Sequence, residues 1–233
     1  GTLSFWLSEA GIARATIGHL SWVGLAYGFK FLWSPLVDRL PLPFLTRTLG
    51  RRRAWLLLSQ VCIAAALLGM ANTDPAQNLT HMVYLALAVA FASATQDIAL
   101  DAYRIEAVEI EKQGAMAATY QAGYRIAMIT AGAGALWIAA AFDPSEATYD
   151  FRPWQVAYTV MAALMAVGML ATLTIREPEK KISSVTTERE AHTRARFAAA
   201  GLTGWLLTAT AWFHSAVLAP FIDFIQRYKW QAV

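Results

Sequence analysis

Three ionisable side chains stand where the surrounding sequence is otherwise apolar: Lys30, Asp97 and Arg125. An Asp, Lys or Arg at the centre of a membrane-spanning helix costs about 2.5–3.5 kcal/mol on insertion scales, so each requires a reason. Lys30 precedes Asp38 by eight residues, roughly 12 Å along a helix. Asp97 precedes Tyr103 by six, roughly 9 Å, and Arg125 lies about 12 Å beyond Ala117. A lysine, an aspartate and an arginine on three separate segments thus fall at matched depth. Gln96, beside Asp97, is taken with them as a candidate binding residue. A buried carboxylate next to cations can change its protonation when an anion arrives, because desolvation and the cation push it in opposite directions. The structural alternative is that Asp97 pairs with Arg125 or Lys30 only to hold helices together, or that Lys30 snorkels to the surface. From the residues alone both readings stand.

Asp97, Asp101 and Arg104 are spaced by four and three residues, so they share one helix face. That face must look into a bundle or cavity. Paired aspartates can do acid–base work, but Arg104 shares their face and no lipid-substrate or metal motif accompanies them. His19, His81, His192 and His214 are scattered without ligand spacing, and no Ser/His/Asp set or phosphate-cradling glycine loop occurs. Neither an enzyme nor a metal or other cofactor is expected.

The elements that must carry these residues follow from composition. Hydrophobic residues make up 57% of the 233 and charged ones only 15%, against roughly a quarter charged in a soluble domain. A helix needs about 20 apolar residues to cross the hydrocarbon core. Five segments meet or approach that length, at about 16–36, 54–71, 82–103, 115–142 and 154–175. Residues 1–8 read as the tail of a sixth, whose start is missing. The last residues, from Tyr228, read as the entry to another helix, so the chain is expected to be part of a longer protein. Gly123, Ala127, Ala131, Gly132, Gly134 and Ala135 form a small-residue stripe that predicts close helix packing. The aromatic residues suit interfacial belts.

Loop charge orients the segments. The loops around 38–53, 104–112 and 176–196 carry thirteen Lys and Arg, and the opposite loops carry only Arg14 and Arg152. The basic loops are therefore expected in the cytoplasm. Residues 1–176 are read as the transmembrane bundle, and 177–233 as a cytoplasmic loop with an amphipathic or interfacial helix at 197–226. The small net charge of +3, clustered in loops, argues against nucleic acid as a partner and leaves the lipid bilayer as the expected one.

Ser34-Pro35-Leu36-Val37-Asp38-Arg39 followed by Leu49-Gly50-Arg51-Arg52-Arg53 resembles the signature of the major facilitator superfamily between its second and third helices, with an insertion and with Ser34 where glycine is usual. Lys30 to Arg39, Leu49 to Trp55, Ala94 to Arg104, Gly123-Tyr124-Arg125 and Ala219 to Phe224 together are similar to the AmpG-type muropeptide permeases. That resemblance implies an all-α, two-bundle transporter of which this chain supplies the N-terminal six-helix bundle, its first helix clipped. The second bundle is expected elsewhere in the same protein. It also implies proton-coupled import of anhydromuropeptides across the bacterial inner membrane for cell-wall recycling. On this reading Lys30 and Arg125 pair with substrate carboxylates while Asp97 takes part in proton coupling. Asp38, Arg39, Arg51, Arg52, Asp101 and Arg104 form a gating charge cluster. Other solutes, among them acetyl-CoA, a sugar or a drug, would suit the same fold. A non-transporting membrane scaffold or sensor, or a membrane-embedded enzyme using Asp97 and Asp101, is the reading from another class.

Overall fold

Arg51–Ala71, Leu79–Ala107, the run Ile110–Ala141 and Phe151–Thr174 are the four helices long and apolar enough to cross a membrane among the described residues of the computed structural model. The structure describes residues 1–143 and 148–178, with separate positions between 191 and 222. All regular structure among these residues is helical. In chain order the helices are α1 (Thr2–Glu9), α2 (Arg14–Leu20), α3 (Leu25–Phe29), α4 (Ser34–Arg39), α5 (Leu45–Leu49), α6 (Arg51–Ala71), α7 (Leu79–Ala107), α8 (Gln113–Ile129), α9 (Ala135–Ala141) and α10 (Phe151–Thr174).

The chain divides into two units. The first comprises Gly1–Ser34 and Pro41–Pro178 and contains α6, α7 and α10, with α6 packed against both of the others. The second comprises Pro35–Leu40 and Glu179–Val233. In it the α4 turn closes with the Leu40 amide donating to the Leu36 carbonyl at 2.8 Å. The interfacial helix expected at 197–226 lies for the most part outside the described residues.

The apolar segment 16–36 is not the single regular helix its length suggests. It breaks into α2, a 3₁₀ turn at Ser21–Gly24, α3, a second 3₁₀ turn at Lys30–Leu32, and α4. Gly18, Gly24 and Gly28 weaken helical propensity along it. Pro35, in the first turn of α4, has no N–H to donate back into the preceding 3₁₀ turn. The run 110–141 is also interrupted, by a π-helical turn at Thr130–Gly134 between α8 and α9.

The small-residue stripe in that run brings helices together only at its end, where Ala135 is buried and α9 packs on α10. A Cβ added at Gly123 or Gly132 would meet nothing within 4 Å. Close approach occurs on α6 and α10 instead. A Cβ at Gly69 would sit 2.8 Å from the Leu85 side chain, and one at Gly168 would sit 3.3 Å from Gln60. Small residues are informative about packing only where a neighbour fills the space they leave.

A buried hydrophobic core lies where α1, α6, α7, α9 and α10 meet, at the end far from the arginine-rich loops. Trp6 and Trp154 stack there, 5.7 Å apart and 6° from parallel, with Tyr158 against Trp6 at 4.8 Å. Both indoles are essentially fully buried, so these tryptophans are core residues rather than an interfacial belt. Each indole N–H has a partner, as buried Trp requires. Trp154 donates to Glu9 at 2.6 Å, and Trp6 donates to the Tyr149 hydroxyl at 3.1 Å. That hydroxyl in turn donates to Asp74 at 2.8 Å. Burial raises the Tyr149 hydroxyl pKa above the usual tyrosine range; the Trp6 hydrogen bond opposes the shift and the Asp74 carboxylate adds to it.

Local signals set the long helices. Asn78 caps α7 by accepting from the His81 amide at 3.1 Å, and Asp150 caps α10 by accepting from the Arg152 amide at 3.0 Å. Pro153 falls in the first turn of α10, where a missing N–H costs no intrahelical bond.

Candidate functional site

Lys30 reaches α7 from the irregular stretch between α3 and α4. Its ammonium donates to Asp97 Oδ2 and lies 3.9 Å from Asp101. Three residues on, Trp33 donates to the Thr95 hydroxyl at 3.2 Å and stacks on Phe91 at 4.6 Å. These contacts, at the two ends of one 3₁₀ turn and on the same side of it, dock the segment on α7. The break in the helix thus aims a lysine at a carboxylate.

Asp97 is held from a second side by α8. The Tyr120 hydroxyl donates to Asp97 Oδ1 at 3.3 Å, while the Arg104 guanidinium lies over the Tyr120 ring at 4.9 Å. Arg104 also pairs with Asp101 at 3.3 Å. Asp97, Asp101 and Arg104 therefore lie together on α7, as their spacing predicts, and α8 completes the group with Tyr120. A cavity of about 670 Å³ opens beside it. Gln96, Asp97, Arg104 and Tyr120 line it, together with Tyr27, Tyr103 and Tyr124. A more apolar hollow of about 540 Å³ shares Gly123, Ala127 and Met165 with it.

Arg125 is placed differently from the expectation. The cavity wall on α8 is made by Met116, Thr119, Tyr120, Gly123, Tyr124 and Ala127. Arg125 lies two residues from both Gly123 and Ala127, which puts it about 200° around the helix from each. It is exposed on the other face. Matched depth was the sequence argument for grouping it with Asp97, but depth carries no information about angle. Lys30 sits behind Asp97 and is not itself part of the cavity wall.

The arginine-rich loop is organised around two glutamates that the sequence reading assigned no role. Arg52, almost fully buried, holds Glu106 through two bonds of 3.0 and 2.5 Å, and Arg51 lies 3.6 Å from the same carboxylate. A fork-to-fork arrangement of this kind is what allows a buried guanidinium. Glu177 caps the start of α6, accepting from the amides of Arg52 at 2.8 Å and Arg53 at 3.0 Å. In return Arg53 donates to the last carbonyls of α10, Thr172 at 2.9 Å and Leu173 at 2.6 Å. An anion at a helix N-terminus and a cation at a C-terminus each satisfy orphan backbone groups and oppose the helix dipole. Tyr103 adds a bond to the Arg176 carbonyl at 3.0 Å.

Gly50 makes that exchange of caps possible. Its φ of 87° is open to glycine, and a Cβ there would lie 2.4 Å from Glu177. The available signal for Glu177 was an acidic residue just past one helix end, in a protein where three arginines open another. Asp38 and Arg39 fall on α4, in the second unit.

Comparison with known proteins fits this arrangement. The family model described as Major Facilitator Superfamily matches residues 1–233. The anhydromuropeptide permease of Escherichia coli K12 is 42% identical over 182 residues, covering 78% of this chain and 34% of the permease. A putative transporter AmpG 4 of Rickettsia felis is 35% identical over 226 residues, covering 97% of this chain and 48% of that protein. The chain thus matches between about a third and a half of the length of these relatives.

Proposed function

This chain belongs to the major facilitator superfamily, and from that premise we propose that it forms one bundle of a proton-coupled permease importing anhydromuropeptides across the bacterial inner membrane. Residues 1–176 make the bundle and 177–233 the cytoplasmic segment leading to a second bundle. The observation that carries the reading is Asp97, a carboxylate in the wall of the cavity that is held by Lys30 from behind and by Tyr120 from the side. The name of the Escherichia coli relative supports the choice of cargo.

The coupling works by exchange of partners. A muropeptide carries carboxylates, and one that draws the partly exposed Lys30 ammonium from behind Asp97 strips Asp97 of its cation. A carboxylate left without its cation in a largely apolar wall is neutralised by a proton. Release of the solute on the other side returns Lys30 to Asp97 and expels the proton. Gln96, Tyr27 and Tyr124 supply neutral donors and acceptors for sugar and peptide groups. Asp38, Arg39, Arg51, Arg52, Asp101 and Arg104 are the gating charges, with Glu106 as the acidic partner of Arg51 and Arg52.

Asp97→Asn in the intact permease tests this directly. Uptake of labelled anhydromuropeptide against its gradient should fall to the level seen with an uncoupler. Accumulation at the wild-type level would overturn the coupling role. Uptake assays with a sugar, a drug and acetyl-CoA as competitors test the cargo; competition by one of these and not by muropeptide would reassign it.

A further inference from the structure

Asp97 is gripped through both carboxylate oxygens by groups from different elements, and only one of those groups belongs to an element with little else holding it. Lys30 takes Oδ2 from a segment that Trp33 also fastens to α7. Tyr120 takes Oδ1 from α8, which is largely exposed along its length. Among the described residues, the polar contacts from α8 and its first turn onto α7 are few. They are the Tyr120 hydroxyl on Asp97, Arg104 over the Tyr120 ring, and a 3.5 Å bond from Gln113 to the Ile105 carbonyl.

We propose that Tyr120 is a positioning residue that ties the placement of α8, and with it the cavity wall, to the charge on Asp97. The proposal rests on the reading of Asp97 as the coupling carboxylate. At 3.3 Å the Tyr120–Asp97 bond is long for an O–H···O contact. It draws its strength from the negative charge, since hydrogen bonds to ionised groups are roughly twice as strong as neutral ones. When Asp97 takes a proton the bond loses that assistance, and α8 has little else to hold it. Thr119, Gly123, Tyr124 and Ala127 ride on the same helix and line the same cavity, so movement of α8 reshapes the space the solute occupies. Arg104, paired with Asp101 and lying over the Tyr120 ring, keeps the hydroxyl aimed at Asp97 while that carboxylate is ionised.

Tyr120→Phe isolates the hydroxyl, because the ring under Arg104 is retained. The intact permease carrying it, reconstituted in vesicles, is assayed for solute counterflow without a proton gradient and for gradient-driven accumulation. Counterflow should stay near wild type, which also shows that the variant folds and binds. Accumulation should fall about tenfold, the factor that corresponds to one charge-assisted hydrogen bond. Two results overturn the proposal: wild-type accumulation, or an equal fall in both assays, which would make the hydroxyl a general packing or binding group. Asp97→Asn measured alongside separates the two levels. If it still accumulates solute, the coupling reading fails and the Tyr120 role falls with it. If it does not, and Tyr120→Phe accumulates normally, only the role of Tyr120 falls.

Discussion

The two ends of the bundle are tied by different physics. At the basic end the helices are joined by charges: Arg52 to Glu106, Glu177 to the start of α6, Arg53 to the end of α10, and Lys30 to Asp97 a little deeper. At the other end Trp6 and Trp154 stack face to face with Tyr158 tilted against both, and carboxylates receive their indole and phenol hydrogens. A small hollow of about 350 Å³ beside that stack is bordered by Glu9, Tyr149, Asp150 and Trp154. Aromatic burial scales with area and has no partner to exchange. An ion pair can be dissolved by a competing ion or a proton. The difference places the exchangeable contacts on the side where Asp97 sits and a permanent clamp on the other.

The comparison breaks most visibly at Trp154. Replacing it with alanine should cost about 3–5 kcal/mol, the range for a buried tryptophan. It should also strand Glu9 without its donor, and the melting temperature of the detergent-solubilised protein should fall accordingly. A small fall would mean that the stack is not the main clamp.

Arg52 tests the charged end and should behave differently. Arg52→Met leaves Glu106 with Arg51 alone and should destabilise by about 3 kcal/mol, as removal of one partner of a buried pair does. Adding Glu106→Leu should recover most of that loss, because a buried ion pair is often no better than an apolar one of similar size. Melting temperatures of the single and double variants decide it; no recovery would show that the pair contributes net stability rather than specificity.

Gly50→Ala comes next. A left-handed backbone conformation costs a non-glycine residue roughly 1–2 kcal/mol, and displacing Glu177 forfeits a helix cap at about 1 kcal/mol. Glu177→Ala should reproduce only the second part, so the difference in melting temperature between these variants isolates the backbone strain.

The smallest effect belongs to Tyr149. Its pKa is raised on folding, so between the ordinary tyrosine value near 10 and the folded value the native state holds a proton that the unfolded state has lost. The associated stability is complete below pH of about 10 and declines as pH rises beyond it. Tyr149→Phe should lose about 1 kcal/mol at neutral pH through the broken Trp6 and Asp74 bonds. It should also remove this part of the alkaline decline. Thermal melts across alkaline pH, with tyrosinate absorbance followed in parallel, check both.

Much of the architecture was legible because the bilayer reduces it to one dimension. Spans are a matter of apolar length, and Arg51–Ala71 and Phe151–Thr174 follow from that alone. Helical spacing likewise placed Asp97, Asp101 and Arg104 on one face. The same logic overreached at 16–36, where length was adequate but three glycines and a proline broke the helix into turns. It overreached again at Arg125, whose depth matched and whose angle did not.

By itself, then, the sequence determined an all-helical membrane bundle, which of its ends is basic, and a carboxylate that had to find a cation. Only the tertiary structure decided which cation. Lys30 and Asp97 are 67 residues apart and Arg52 and Glu106 are 54 apart. Such pairings depend on how each helix is rotated about its axis, and rotation is set by packing between helices. Glu177 shows the limit most clearly. Its place just past a helix end does not name the helix it caps until the end of α10 lies against the start of α6, where Gly50 leaves room for it.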